Sequence, residues 1–292
     1  MNLATHDALP PEIGWVERVT TDPSPALPPA AAAAPLLMLD AALTRLPGRA
    51  FGPFNLTVWH GERIAVLGPS GAGKSTLLKL LSGERPAHAG AVRLDGQTLP
   101  TLRPQDLARR RAVLPQSHAV AFGMPVELVV ALGRIAREPD ADQAAIVAQA
   151  LGAACAAHLV GRRFATLSGG EQARVQLARV LAQLWDVRRG LLLVDEPLAA
   201  LDPGLQFELM DALQAFARQR GHALVAVLHD INQALAGFDR LWLVQGGQLR
   251  ADLPSGRAAV PALEQLFGIR LRCVDDAGGL SVLAQRALPL AA

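Results

Sequence analysis

Residues 64–76 read IAVLGPSGAGKST, an apolar run that breaks into Gly68-Pro69-Ser70-Gly71-Ala72-Gly73-Lys74-Ser75. The spacing is G-x-x-x-x-G-K-[ST], with a strand-like lead-in and a helix-like exit through Thr76 and the leucines behind it. The chemistry open to such residues is the binding of a triphosphate. Gly68, Gly71 and Gly73 let the backbone aim its N–H groups at an anion. The helix that follows adds the positive end of its dipole. Lys74 is placed to reach the β- and γ-phosphates, and the Ser75 hydroxyl to hold Mg²⁺. A plain glycine-rich turn has no use for Lys-Ser-Thr behind it, so 68–76 reads as a nucleotide-triphosphate site.

Further candidates follow in chain order. Gln116, at the end of Val113-Leu114-Pro115-Gln116, is read as a sensor of the γ-phosphate and Mg²⁺ on a hinge. Leu167-Ser168-Gly169-Gly170-Glu171-Gln172 opens a long helical stretch, 173–183. Ser168 and Glu171 have the types of a capping pair, yet a Ser-Gly-Gly turn at a helix start is also a second phosphate cradle. One nucleotide does not need two cradles on one molecule. Two copies facing each other head to tail would use both. Asp195-Glu196 ends an apolar strand, with Asp195 placed to hold Mg²⁺ through water and Glu196 to polarise an attacking water. Asp202 lies in the loop expected at the dimer seam. His229 ends the apolar run 224–228 at the same sheet edge, where it could reach the γ-phosphate.

These residues need a scaffold that brings distant strand ends together. Residues 36–39, 54–59 and 91–94 read as short strands, and 191–194 and 224–228 as continuous apolar strands of a parallel sheet buried on both faces. The segment 207–218 reads as a helix between the last two. Alternation of strand and helix around the phosphate loop predicts an α/β fold: a mainly parallel core sheet, an antiparallel β subdomain and a helical insertion over about 105–165. Within that insertion, 126–136 and 141–157 have helical periodicity. Residues 241–249 read as a hairpin, 260–267 as a short helix and 269–274 as a strand. The domain reading is a Pro/Ala-rich disordered extension at 1–35, a folded nucleotide-binding domain at 36–255 and a short tail at 256–292.

Composition narrows the function classes. The 292 residues are 51% hydrophobic and carry 28 Lys+Arg against 26 Asp+Glu, a net of +2, which argues against a nucleic-acid footprint. Arg109-Arg110-Arg111 is read as a solvated helix face. Cys155 and Cys273 lack metal spacing and read as reduced thiols. No apolar run approaches the roughly 18 residues of a membrane span, and no signal-peptide layout is present. The expectation is a soluble protein whose membrane connection comes through a partner.

Over about 36–255 the chain resembles the ATP-binding subunits of ABC transporters. GPSGAGKST looks like the Walker A motif, Gln116 like the Q-loop and LSGGEQ (167–172) like the signature. LLLVDE (191–196) looks like Walker B, 199–202 like the D-loop and His229 like the switch histidine. The resemblance implies an ATP hydrolase working as a head-to-tail homodimer, each ATP between one Walker A and the other subunit's signature. It implies Glu196 as general base, His229 as the γ-phosphate contact and Ser75, Gln116 and Asp195 around Mg²⁺. RAVLPQ (111–116), VALGR (130–134), the stretch 159–185 and VLHDINQA (227–234) are similar to the hemin-importer ATP-binding subunits. Those belong to the group serving iron-siderophore and vitamin B12 permeases.

That similarity implies a permease partner, a periplasmic binding protein acting indirectly, a peripheral place on the cytoplasmic face of the inner membrane, and hemin as cargo. A ferric siderophore or cobalamin is the alternative cargo. A soluble ABC protein acting on ribosomes or DNA is disfavoured by the single nucleotide-binding unit and near-neutral charge. Segment 117–135 is the expected permease contact. Two departures stand out. Arg45 occupies the family's adenine-stacking position in a chain without tyrosine, so a guanidinium at Arg45 or the ring of Phe51 is expected there. The D-loop reads Leu198-Ala199-Ala200-Leu201-Asp202, without the seam hydroxyl common in the family, so coupling between the two sites is expected to differ.

Overall fold

Residues two apart on a strand share a face, so a continuous apolar strand serves two cores at once. The computed structural model describes residues 34–115, 123–137, 139–196, 201–276 and 279–285. In chain order the first strands are β1 (Leu37–Leu46), β2 (Arg49–Val58), β3 (Arg63–Leu67), β4 (Ala89–Leu94), β5 (Gln97–Thr98) and β6 (Arg111–Leu114). Then come β7 (Leu191–Asp195), β8 (Ala223–Val227), β9 (Arg240–Gln245), β10 (Gln248–Pro254), β11 (Arg270–Asp276) and β12 (Gly279–Gln285). Six of them form the central sheet in the order β10-β9-β3-β8-β7-β6, parallel except for β10. Its alternate residues divide as the pleat requires. Ala65, Leu67, Leu192, Val194, Leu224 and Ala226 enter one core, and Ile64, Val66, Leu191, Leu193, Val225 and Val227 the other.

The second core is closed by the antiparallel sheet β2-β1-β4-β5 and by α1 (Lys74–Ser82), which contributes Leu77, Leu78, Leu80 and Leu81. Arg240 ties the two sheets together. It donates to Glu62 Oε1 at 3.0 Å and to the Thr57 carbonyl at 3.1 Å. The first core is closed by helices. After α2 (Pro104–Ala108) come α3 (Val126–Ala131), α4 (Gln143–Ala153), α5 (Gly169–Gln183), α6 (Pro203–Arg220), α7 (Ile231–Gly237) and α8 (Val260–Phe267). The hairpin β11–β12 packs on α7, where the Asn232 side chain makes two bonds to the Val282 backbone.

The α/β architecture expected from the sequence is present, with several differences of detail. The first strand continues from Leu39 to Leu46, past two irregularities in its pairing with β2. Residues 111–114, inside the stretch read as mainly helical, form the edge strand β6, parallel to β7. The Arg109–Arg111 cluster is accordingly not a helix face. Arg109 and Arg110 sit in the turn after α2, and Arg111 begins β6. Residues 132–137 tighten into a 3₁₀ turn instead of continuing α3. Among the described residues no helix is long and apolar enough to cross a membrane. Gln116, residues 198–200 of the D-loop, 117–122 of the expected permease contact and nearly all of the 1–35 extension lie outside the described residues.

Candidate active site

The strand order places three chain segments side by side. β8 lies between β3 and β7, with Val66 paired to Val227 and Asp195 paired to Val227. The loop after β3, His229 after β8 and Glu196 after β7 therefore leave the same sheet edge at the same level. This is the carboxyl end of a parallel sheet, where open α/β sheets bind ligands.

The phosphate loop needs its glycines for space as well as for conformation. A Cβ on Gly68 would fall 2.1 Å from the Val244 carbonyl oxygen. Gly73 takes φ 103° at the start of α1, and a Cβ there would come within 2.8 Å of the Phe51 ring. The β9–β10 turn clamps the loop from the side: Gly247 N–H donates to the Ala72 carbonyl at 2.8 Å, and Gly52 N–H to the Gly247 carbonyl at 2.7 Å. The loop is preformed by a backbone bond from the β9–β10 turn, which β2 in turn holds through Gly52.

Residues 70–76 line a cleft of about 300 Å³ together with Phe51, Glu196 and His229. Lys74 is buried at the cleft floor. Its Nζ donates to the Gly68 carbonyl at 2.9 Å and the Pro69 carbonyl at 3.2 Å, and lies 3.5 Å from Glu196 Oε1. His229 Nε2 lies 2.7 Å from Glu196 Oε2, so the carboxylate stands between ammonium and imidazole. Glu196 adopts φ 44°, a left-handed conformation that costs a non-glycine residue roughly 1–2 kcal/mol. Ser75 Oγ donates to Asp195 Oδ1 at 2.8 Å. Burial raises the Asp195 pKa above its ordinary value; the Ser75 hydrogen bond opposes this and the charge of neighbouring Glu196 adds to it.

Not every expected residue is in the cleft. Ser168 caps α5: its Oγ accepts from Glu171 N–H at 3.3 Å, and Glu171 Oε2 accepts from Ser168 N–H at 2.7 Å. Glu171 also pairs with Arg162, and the Ser168 N–H bond is the larger cause of its lowered pKa. Ser168 and Gly169 are exposed, Gly169 has open space around it, and residues 168–171 do not line the phosphate cleft. Asp202 is the exposed N-cap of α6, accepting from Leu205 N–H at 3.0 Å. It does not line the cleft.

Arg45 is exposed and pairs with Ala50 across the β1–β2 hairpin, whereas Thr44 pairs with Phe51 and Leu46 with Arg49. Cross-strand partners share a face and neighbours alternate. Arg45 therefore points from the opposite face to Phe51. What the sequence reading missed is the wedge of Phe51 against Gly73 and Gly247, and Arg49 above it. Gln245-Gly246-Gly247 signalled only a turn.

Known proteins share this design. The ABC transporter family matches residues 51–199. A protein named Hemin import ATP-binding protein HmuV, from Pseudomonas entomophila (strain L48), is 45% identical over 233 residues, spanning 78% of this chain and 90% of that protein. One of the same name from Nocardia farcinica (strain IFM 10152) is 49% identical over 209 residues, spanning 70% and 71%. Among solved structures, an inward-facing ABC transporter assigned to the metal-chelate type superimposes with TM-score 0.73 at 23% identity, over 88% of this chain and 99% of that one. A nucleotide-free ATP-binding cassette from an ABC transporter gives 0.68 at 19% identity, over 80% and 96%.

Proposed function

This chain belongs to the ABC transporter family and is an ATP hydrolase coupled to transport, and from that premise we propose that it energises a bacterial hemin importer. The cargo reading rests on relatives named for hemin import at 45% and 49% identity. In this reading two copies close head to tail over two ATP molecules on the cytoplasmic face of the inner membrane. They are bound to an integral permease that a periplasmic binding protein loads. The observation that carries it is the arrangement of Lys74, Glu196 and His229 around one preformed loop, with the Ser168–Gly169 helix start exposed elsewhere. A second copy's exposed helix start would supply the donors that the open cleft lacks. Exposed Leu128, Leu132 and Ile135 form one apolar line on α3 and the turn after it, a suitable contact for permease helices.

The mechanism follows from the side chains. Lys74 holds its charge against two carbonyls of its own loop, and an incoming γ-phosphate takes those donors over. N–H groups of the loop and of the first turn of α1 hold the remaining phosphate oxygens. Glu196 accepts a proton from the attacking water, and His229 holds the carboxylate in line. The products are ADP and inorganic phosphate. The Ser75 hydroxyl and Asp195 carboxylate, 2.8 Å apart, are hard oxygen donors that suit Mg²⁺, an ion usually held by one or two carboxylates plus substrate phosphates. When bound, the ion neutralises charge on the phosphates. Gln116 is assigned to the same ion.

Glu196→Gln keeps the shape and removes the base. With ATP it is expected to hydrolyse at least about a hundredfold more slowly, to run as a dimer on size exclusion, and to bring a polytopic permease out of native membranes. A strictly monomeric mutant with ATP bound would sink the head-to-tail reading. Capture of ribosomal or DNA-repair proteins without a permease would sink the importer reading.

A further inference from the structure

The His229 side chain is 50% exposed, so packing alone does not fix where its ring points. Its place on Glu196 must come largely through the backbone. On one side, Leu228 N–H donates to the Val66 carbonyl at 3.1 Å and pins the chain to β3. On the other side, α7 begins at Ile231. Asp230 Oδ1 caps that start, accepting from Asn232 N–H at 2.7 Å and from Gln233 N–H at 3.0 Å. His229 therefore inherits its position from whatever holds the first turn of α7.

That turn is gripped by the C-terminal hairpin. Asn232 Nδ2 donates to the Val282 carbonyl at 3.1 Å, and its Oδ1 accepts from Val282 N–H at 2.7 Å. The amide stands where a third strand would pair with β12 and makes both bonds of such a pair. The hairpin is itself anchored. Leu271 and Val282 are buried in the first core, and Leu271 N–H donates to Glu264 Oε1 of α8 at 2.7 Å. Residues 229–231 are thus strung between a clamp at Leu228 and a clamp at Asn232.

We propose that Asn232, held by the C-terminal hairpin, is a positioning residue for hydrolysis that keeps His229 on Glu196. The proposal rests on the reading of His229 given above and adds what holds that ring in place. A side-chain amide carries a donor and an acceptor together, whereas a carboxylate lacks the donor and alanine lacks both. Misplacement by about 1 Å, even through a residue far from the chemistry, can cost up to about a hundredfold in rate.

The test is phosphate release by the full-length protein against ATP concentration, with ATP binding at equilibrium and a thermal melt alongside. Asn232→Ala is expected to lower kcat about tenfold and to leave ATP affinity within about twofold. Its melt should stay close to the parent's, because residue 232 is exposed on a helix, where alanine is favoured. Asn232→Asp, of the same shape without the donor, should lose turnover as the alanine variant does. The decisive readout is a double-mutant cycle: in a His229→Ala background, Asn232→Ala should cost less than about twofold more. A further tenfold loss in that background would mean that Asn232 acts elsewhere, and would overturn the proposal. So would undiminished turnover in Asn232→Ala, or a loss of ATP binding in step with turnover. His229→Ala alone separates the two readings. If it hydrolyses ATP as fast as the parent, the role given to His229 fails, whatever Asn232 does.

Discussion

Two buried cations in this molecule are held in opposite ways. Arg134, only 1% exposed, spends its fork on fixed partners: Nε and Nη2 on Asp140 at 2.7 and 3.0 Å, and Nη1 on Asp186 at 2.8 Å and the Ala182 carbonyl at 3.2 Å. Lys74, 5% exposed, has two backbone carbonyls and a carboxylate no nearer than 3.5 Å. A carbonyl carries partial charge and a phosphate full charge, so an anion entering the cleft outbids the carbonyls for the ammonium. Nothing arriving from solvent outbids two carboxylates that are already paired. The difference separates a charge that builds the fold from one kept in readiness. Arg134 fastens the turn after α3 to the end of α5, while Lys74 waits at the start of α1.

Substitution should split the two cleanly. Lys74→Ala is expected to cut ATP hydrolysis at least about a hundredfold and to abolish nucleotide binding, with the melting temperature nearly unmoved. Phosphate release, nucleotide titration and a thermal melt on the same sample decide it. A protein that melts early but still turns over ATP would reverse the comparison. Arg134→Met should do the converse. It leaves Asp140 without its cation and Asp186 with Arg137 alone, 3.3 Å away, and should cost about 3 kcal/mol, the lower end for breaking a buried pair because Asp186 is 45% exposed and keeps that second partner. ATP affinity should stay within about twofold. Arg134→Lys should be intermediate, since an ammonium cannot fork to two carboxylates. A urea melt beside an ATP titration measures both.

The same contrast explains what could be read from the residues alone. The phosphate loop was legible because its chemistry is local: glycines, Lys74 and Ser75 adjoin in sequence and their spacing carries the geometry. Asp195-Glu196 and His229 were legible as strand ends, but their proximity depends on β8 lying between β3 and β7. β6 was hidden because a short apolar run follows three arginines and sits between helical segments, so its strand character comes from pairing with β7. Assigning Arg45 to the base could not be checked without hairpin register, because one residue along a strand exchanges its faces. The Arg134 cluster joins residues 6 and 52 positions apart, a distance across which sequence spacing carries no signal.

His222 shows a third way to bury an ionisable group, and the smallest of these effects. It is fully buried between α6 and β8, its Nδ1 accepts from Gly190 N–H at 2.8 Å, and its ring packs 5.2 Å from Phe216. Burial, helped by the charge of Arg220, pushes its pKa down to about 4. Where Lys74 is held loosely by carbonyls and Arg134 is saturated by carboxylates, His222 is kept uncharged. The unfolded chain, with histidine near pKa 6.5, binds the extra proton between pH 6.5 and 4, so stability rises with pH across that window. The contribution is fully present above pH 6.5 and fades as pH falls toward 4, by about 2 kcal/mol between pH 7 and 5. His222→Asn can keep an acceptor for Gly190 while removing the titration. Urea melts at pH 7 and pH 5 should show the parent losing about 2 kcal/mol more than the variant on acidification. Equal losses would mean that the ring takes up its proton in place, and that this third kind of burial does not hold.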